Sequence, residues 1–131
     1  RPLSYRSRFL WWKSVVEGKT PTTVFVAESA QHGIVGFNAV EPSRDNSFSE
    51  YGEVAAIYCL NEYKKKGIGT ALFAAGQDCL RQKGFKNSYL WVLKENPTVE
   101  FYRRMVGEIL NKEKTVELGK PLIEIAFGWK L

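Results

Sequence analysis

Apolar positions along the chain recur with two different periods, and each period predicts a different kind of element. Near the N-terminus the spacing of Leu10, Trp11 and Val15 is roughly helical. We therefore expect a helix over residues 5–17, ended by Gly18.

Two runs of β-branched and aromatic residues follow, at 22–28 and 33–40, and a short turn separates them. This pattern predicts an antiparallel hairpin, with His32 facing water in its turn. The polar stretch 41–51 predicts a loop. It would be either a mobile flap over a substrate or an ordinary hairpin connection.

The middle of the chain predicts a strand, a helix and a second strand. Residues 52–60 are apolar on both faces after Glu53, as expected of a central strand covered on two sides. Residues 67–84 have one apolar stripe at helical spacing, and 88–93 form another buried strand. A strand, crossover helix and strand in this order predict a right-handed βαβ unit with parallel strands.

The last third predicts one more helix and a hairpin. Asn96 and Pro97 are typical of an N-cap and a first turn, and the helix should end near Gly107. Residues 108–118 and 122–130 then predict the two strands of a hairpin.

Composition limits the class of protein. A chain of 131 residues that is 44% hydrophobic is large enough for one folded domain, 1–131, and is not typical of a disordered segment. The sequence has no apolar run close to the ~18 residues of a membrane-spanning helix. Cys59 and Cys79 predict core thiols in a reducing compartment such as the cytoplasm.

The net charge of +5 suits a polyanionic partner. A nucleic acid would also fit that charge, but the basic residues are scattered and are not interleaved with aromatic residues, which argues against it. We expect no membrane partner and no metal. The one histidine has no second ligand nearby in the sequence.

A candidate anion site lies where the polar turn after residue 60 meets the next helix. Unpaired amide groups at a helix start favour an anion. Gly67 and Gly69 lack a Cβ, so a phosphate could approach the main chain closely, and Lys64, Lys65 and Lys66 add positive charge. A basic, solvated turn before a glycine helix start would explain the same residues.

Several motifs in this order resemble the GNAT N-acetyltransferase superfamily, especially its small bacterial members. The hexapeptide from Lys64 to Gly69 is similar to the signature Gln/Arg-x-x-Gly-x-Gly/Ala, although Lys64 replaces the usual Gln or Arg. Asn96 and the segment 101–107 (FYRRMVG) resemble the family's Asn-x(5)-Tyr helix. The resemblance covers roughly residues 22–131.

The resemblance implies an α/β (α+β) fold: a mixed central sheet with a βαβ unit and flanking helices. The family normally begins with a strand and a helix before the one expected at 5–17. We therefore expect an N-terminally truncated domain that lacks both. Relatives are often homodimers, which leaves a homodimer open here.

The resemblance also implies that acetyl-CoA is the acetyl donor. Backbone amides would bind its pyrophosphate, and the strand before them would pair with the pantetheine arm. Asn96 would hydrogen-bond to the pantetheine amide or to the strand, but a role as a helix cap alone would explain this residue equally well. The implied cofactor-binding residues are Tyr58, Cys59, Leu60, Lys64, Lys65, Lys66, Gly67, Ile68, Gly69, Thr70 and Asn96.

Two residues match the catalytic groups of the family. An alkyl amine, with a pKa near about 10.4, is mostly protonated at neutral pH, so a base would help. Glu53, eleven residues before Lys64, matches the glutamate base, and Tyr102 matches the acid that protonates the thiolate. A strand-end glutamate facing water and a packed tyrosine are the alternatives.

The resulting expectation is an acetyl-CoA-dependent N-acetyltransferase. It would act on a primary amine of a small molecule or peptide. The alternative is an acyl-CoA-binding module that keeps the cofactor site and transfers nothing.

Overall fold

One mixed sheet organises the fold. The computed structural model describes residues 9–15, 21–63 and 67–131. In these residues the strand order is β1-β2-β3-β4-β5-β7-β6. The elements are β1 (Phe9–Val15), β2 (Thr23–Ser29), β3 (Gly33–Pro42), β4 (Gly52–Cys59), α1 (Ile68–Gln82), β5 (Asn87–Leu93), α2 (Val99–Arg104), β6 (Glu108–Glu117) and β7 (Pro121–Lys130).

The central crossover confirms the predicted βαβ unit. Strands β4 and β5 are parallel and are connected through α1, whereas the other neighbouring strands of the described sheet are antiparallel. Both predicted hairpins, β2–β3 and β6–β7, are also present. The mixed sheet with few helices is therefore the fold that the sequence predicts.

The first predicted helix is wrong. Residues Phe9–Val15 form a strand that pairs with β2 along its whole length, from Phe9 opposite Ser29 to Val15 opposite Thr23. The aromatic and branched residues of this segment suit a strand as well as a helix, and pairing with β2 gives its backbone groups hydrogen-bond partners. The remaining parts of the predicted helix, 5–8 and 16–17, lie outside the described residues.

Helices α1 and α2 pack on the same face of the sheet. Their buried side chains meet the inward residues of β3, β4, β5 and β7 in a core that includes Phe73, Leu80, Tyr102 and Phe127. Cys79 packs against this core, and Cys59 packs against the neighbouring cluster around Leu72, as predicted for structural thiols. The two cysteines are not joined by a disulfide.

The opposite face is covered by the connection between β3 and β4. This connection carries a short 3-10 helix, Asn46–Phe48, whose Phe48 is buried against Tyr89 and Ala126. The ring of Phe48 stacks on that of Tyr89 with 4.3 Å between centroids. The predicted loop is thus anchored to the sheet by an aromatic residue.

Candidate functional site

The site is built where β4 and β5 separate. The two strands are in register at only two positions, Gly52 with Ser88 and Glu53 with Tyr89, although each strand continues for several residues. The register between β3 and β4 shifts at Ala55, and such a bulge bends the strand that carries it. A gap therefore opens between the two parallel strands immediately after Glu53.

The far end of β4 is accessible along this gap. Tyr58 is 53% exposed, and its ring lies 6.2 Å from that of Phe37. Cys59 and Leu60 are partly buried beneath it, and the Leu60 amide donates to the carbonyl of Val35 at 2.8 Å. An extended ligand could pair with the edge of β4 that faces β5, because β5 takes up that edge only as far as Glu53.

Helix α1 begins at the end of this strand with the geometry of an anion site. Gly67, its N-cap, has a left-handed backbone with φ of 83°, and a Cβ there would meet nothing within 4 Å. The first amide to bond back into the turn is that of Ala71, to the carbonyl of Gly67 at 3.0 Å. No described carbonyl accepts a hydrogen bond from the amides of Ile68, Gly69 or Thr70.

The first amides of a helix have no intrahelical acceptor, so the amides of Ile68, Gly69 and Thr70 suit a phosphate. Of the predicted cofactor residues, Lys64, Lys65 and Lys66 lie outside the described residues. Gly69 faces Phe101 of α2, with 3.6 Å from an ideal Cβ to the nearest ring atom.

A tyrosine supports the turn just before this helix. Tyr63 is buried, and its hydroxyl donates to the Ser29 hydroxyl at 3.2 Å. The same hydroxyl contacts Nδ1 of His32. His32 is exposed in its turn, as expected. Its partner Tyr63 belongs to the same apolar cluster as Ile68, the first residue of α1.

Tyr102, on α2, lies in the core between this helix and the sheet. It is 6% exposed, with the rings of Phe127 and Trp129 at 5.8 and 6.2 Å. Burial raises the pKa of Tyr102, while a hydrogen bond with the Thr98 side chain opposes the rise. The phenol therefore keeps its proton at neutral pH and can act as a donor.

Asn96 occupies the turn before α2. Its side-chain oxygen accepts from the Thr98 amide and from the Thr98 hydroxyl, both at 2.9 Å. The helix itself begins at Val99, with Thr98 as N-cap, so the prediction that Asn96 is the N-cap residue is wrong by two positions. The Asn96 side chain still serves the helix start.

Glu53 lies on the opposite face from Tyr102. Its neighbour Val54 belongs to the core that contains Tyr102, and successive strand residues point to opposite faces. Glu53 is 8% exposed, so the alternative of a carboxylate facing water is not observed. The backbone amide of Arg44 donates to its Oε1 at 3.3 Å.

Sequence reasoning missed three residues around Glu53. The Ser43 and Tyr89 hydroxyls lie 2.8 Å apart, and Tyr89 is the register partner of Glu53. The guanidinium of Arg44 forms an ion pair with Glu41, Nε to Oε2 at 2.8 Å. A signal for Tyr89 existed, because a tyrosine in a buried strand needs a partner for its hydroxyl. Ser43 and Arg44 lie in the loop between β3 and β4, and the sequence does not predict which loop residues face Glu53.

The part of the chain that the structure describes has neither a metal site nor a membrane-spanning helix. Within 9–15, 21–63 and 67–131, no three His, Cys, Asp or Glu side chains come together as a metal site. Neither helix in this part of the chain is long and apolar enough to cross a membrane.

Comparison with known proteins identifies a family and relatives of this chain. The family model described as the acetyltransferase (GNAT) family matches residues 1–107. An uncharacterised N-acetyltransferase of Bacillus subtilis, YuaI, is 33% identical over 127 residues, which are 97% of this chain and 71% of YuaI.

Two solved structures share the fold at low sequence identity. One, described as a streptothricin acetyltransferase from Bacillus anthracis in complex with acetyl coenzyme A, has a TM-score of 0.74 at 12% identity. That alignment covers 95% of this chain and 85% of the other. A nourseothricin acetyltransferase has a TM-score of 0.72 at 18% identity, over 94% of this chain and 84% of its own.

Proposed function

The chain belongs to the acetyltransferase (GNAT) family, an acyltransferase family that uses acetyl-CoA, and we propose that its acceptor is a primary amine of a small molecule or peptide. One observation carries the proposal. Strands β4 and β5 separate directly after the buried Glu53, beside a helix start whose first amides have no described acceptor.

The described residues fit acetyl-CoA. The amides of Ile68, Gly69 and Thr70 would hold its diphosphate, and the free edge of β4 would pair with the pantetheine arm. In that position the thioester would lie in the gap between the strands. Tyr58, Cys59 and Leu60 would line the arm, and Asn96 would support its far side.

The two faces of the sheet would then supply the two proton transfers. Glu53 would accept the proton that the amine nitrogen loses as it bonds to the acetyl carbon. Tyr102, kept protonated by burial, would donate its proton to the sulfur when the C–S bond breaks. Because these side chains lie on opposite faces, a thioester between the strands could be reached from both.

We place the protein in the cytoplasm, because the two cysteines pack against separate clusters and form no disulfide with each other. A thiol-release assay with acetyl-CoA and a panel of primary amines tests the function. We expect release that depends on the amine. If acetyl-CoA binds but no amine yields thiol, the acyl-CoA-binding alternative would replace the enzyme.

A further inference from the structure

Tyr89 is a buried phenol that faces the proposed base. It is 0% exposed, and it is one of only two residues of β5 in register with β4. Its partner in that register is Glu53, so the two side chains leave the sheet on the same face. They therefore meet at the last paired position before the strands separate.

The Tyr89 hydroxyl has two polar neighbours on this face. One is the Ser43 hydroxyl, with 2.8 Å between the oxygens. The other is the side chain of its register partner, Glu53, whose carboxylate can only accept a hydrogen bond when ionised. Burial raises the pKa of Tyr89, the Ser43 hydrogen bond opposes the rise, and the charge and hydrogen bond of Glu53 add to it. The phenol is thus a permanent donor at neutral pH.

The loop after β3 closes the arrangement from the other side. The amide of Ser43 donates to the carbonyl of Tyr51 at 3.0 Å, which fixes the start of the loop. The next amide, that of Arg44, donates to Oε1 of Glu53 at 3.3 Å. The Glu53 carboxylate therefore accepts from a main-chain donor of the loop and lies beside Tyr89, its register partner on β5.

We propose that Tyr89 is a positioning residue, whose hydroxyl, together with the Arg44 amide, fixes the Glu53 carboxylate at the mouth of the gap between β4 and β5. This inference rests on the proposed function, in which Glu53 is the base. Ser43 acts one step further away, by orienting the Tyr89 hydroxyl. A carboxylate held in one orientation meets the amine without first losing rotational freedom.

Other charged or titratable groups face this network from the elements packed around it, and Tyr89→Phe and Ser43→Ala leave all of them in place. They are Glu41 on β3, Arg44 and Asp45 in the loop, Tyr51 at its end, and Lys114 on β6.

The test compares Tyr89→Phe with Tyr51→Phe. Both remove a phenol hydroxyl from one aromatic cluster, since the two rings lie 5.8 Å apart, but the Glu53 register partner is Tyr89. We expect Tyr89→Phe to lower kcat by about 10-fold, with KM for acetyl-CoA unchanged. Added to Glu53→Gln, Tyr89→Phe should cause no further loss of kcat, because its hydroxyl acts through that carboxylate.

Ser43→Ala supplies a second variant at a partly exposed loop position, should Tyr89→Phe fold poorly. We expect a loss of kcat in the same direction, and a smaller one. A carboxyl NMR spectrum of the ligand-free protein at neutral pH gives a readout that needs no turnover. The Glu53 resonance, identified by its loss in Glu53→Gln, should change its chemical shift in Tyr89→Phe and keep it in Tyr51→Phe.

The outcomes separate the two claims. If Glu53→Gln lowers kcat but Tyr89→Phe behaves like Tyr51→Phe in both rate and NMR spectrum, the positioning role is wrong and the base remains. If Glu53→Gln leaves the rate unchanged, the base is wrong, and the role of Tyr89 is rejected with it.

Discussion

Glu41 and Glu53 lie directly opposite each other on the antiparallel strands β3 and β4, and both contact Arg44. Like charges at such positions destabilise a sheet. The guanidinium of Arg44 lies against Glu41 while its backbone amide reaches Glu53, so a single loop residue partners both carboxylates. Because the opposed carboxylates reduce the stability of the sheet, a chemical role explains Glu53 better than a contribution to stability.

The first prediction follows from this pair. Glu53→Gln should lower kcat by about 10-fold or more, because an amide cannot accept the proton of the amine. It should not lower Tm, since the amide oxygen can still accept from Arg44 and one like charge is removed. Steady-state rates and thermal unfolding measure the two effects. Glu50→Gln, at an exposed loop position, is the control, and an equal loss of activity in both variants would argue against the base.

The second prediction concerns the acid. Tyr102→Phe should lower kcat by about 10-fold or more while acetyl-CoA still binds, because only the hydroxyl is lost from a ring packed by Phe127 and Trp129. Turnover and calorimetric binding of acetyl-CoA provide the measurement. Unchanged turnover would remove Tyr102 from the mechanism and leave it as a core residue.

The third prediction concerns pH. The pKa values of Tyr89 and Tyr102 are raised in the folded protein, so the unfolded chain loses these protons first as pH rises above about 10. Their contribution to the free energy of unfolding is complete below that pH. It should fall above it, by at most about 1.4 kcal/mol per pH unit for each tyrosine.

Urea unfolding between neutral pH and pH about 11 checks this slope. We expect a shallower decline in both Tyr89→Phe and Tyr102→Phe, with Tyr58→Phe, at an exposed tyrosine, as the control for removing a hydroxyl. A decline of the same steepness in all variants would contradict the prediction.

The fourth prediction concerns the end of α2. Val106 has a φ of 65°, and the amides of Val106 and Gly107 bond back to the carbonyls of Arg103 and Tyr102. These are the bonds of a Schellman motif, whose left-handed residue is usually glycine. Val106→Gly should therefore stabilise the protein by about 1 kcal/mol.

Denaturant unfolding measures that gain, and Val106→Ala is the matched control. Alanine also shortens the 81% exposed side chain but keeps a Cβ, so it should recover little of the strain. Equal stability of the glycine and alanine variants would show that backbone conformation is not the cause.

The sequence predicted most of the fold because the relevant signals are local. The apolar periods of β4, α1 and β5 and the turn at Gly67 define the central crossover without any distant contact. The first strand could not be told from a helix, because Phe9–Val15 is set by its pairing with β2, which is a tertiary contact.

The candidate site was predictable in part for the same reason. The helix start at Gly67 follows from the local pattern, and Glu53 and Tyr102 are candidates through short motifs that resemble those of the family. The network around Glu53 depends on the register between β4 and β5 and on the fold of a loop, neither of which is encoded by a local pattern. Tyr89 therefore looked like one more core residue.

A crystal structure of the chain grown with acetyl-CoA tests the central claim most directly. The account predicts the diphosphate within hydrogen-bond distance of the amides of Ile68, Gly69 and Thr70, and the thioester between β4 and β5 with Glu53 and Tyr102 on either side. Acetyl-CoA bound elsewhere, or a helix start that makes no contact with phosphate, would contradict it.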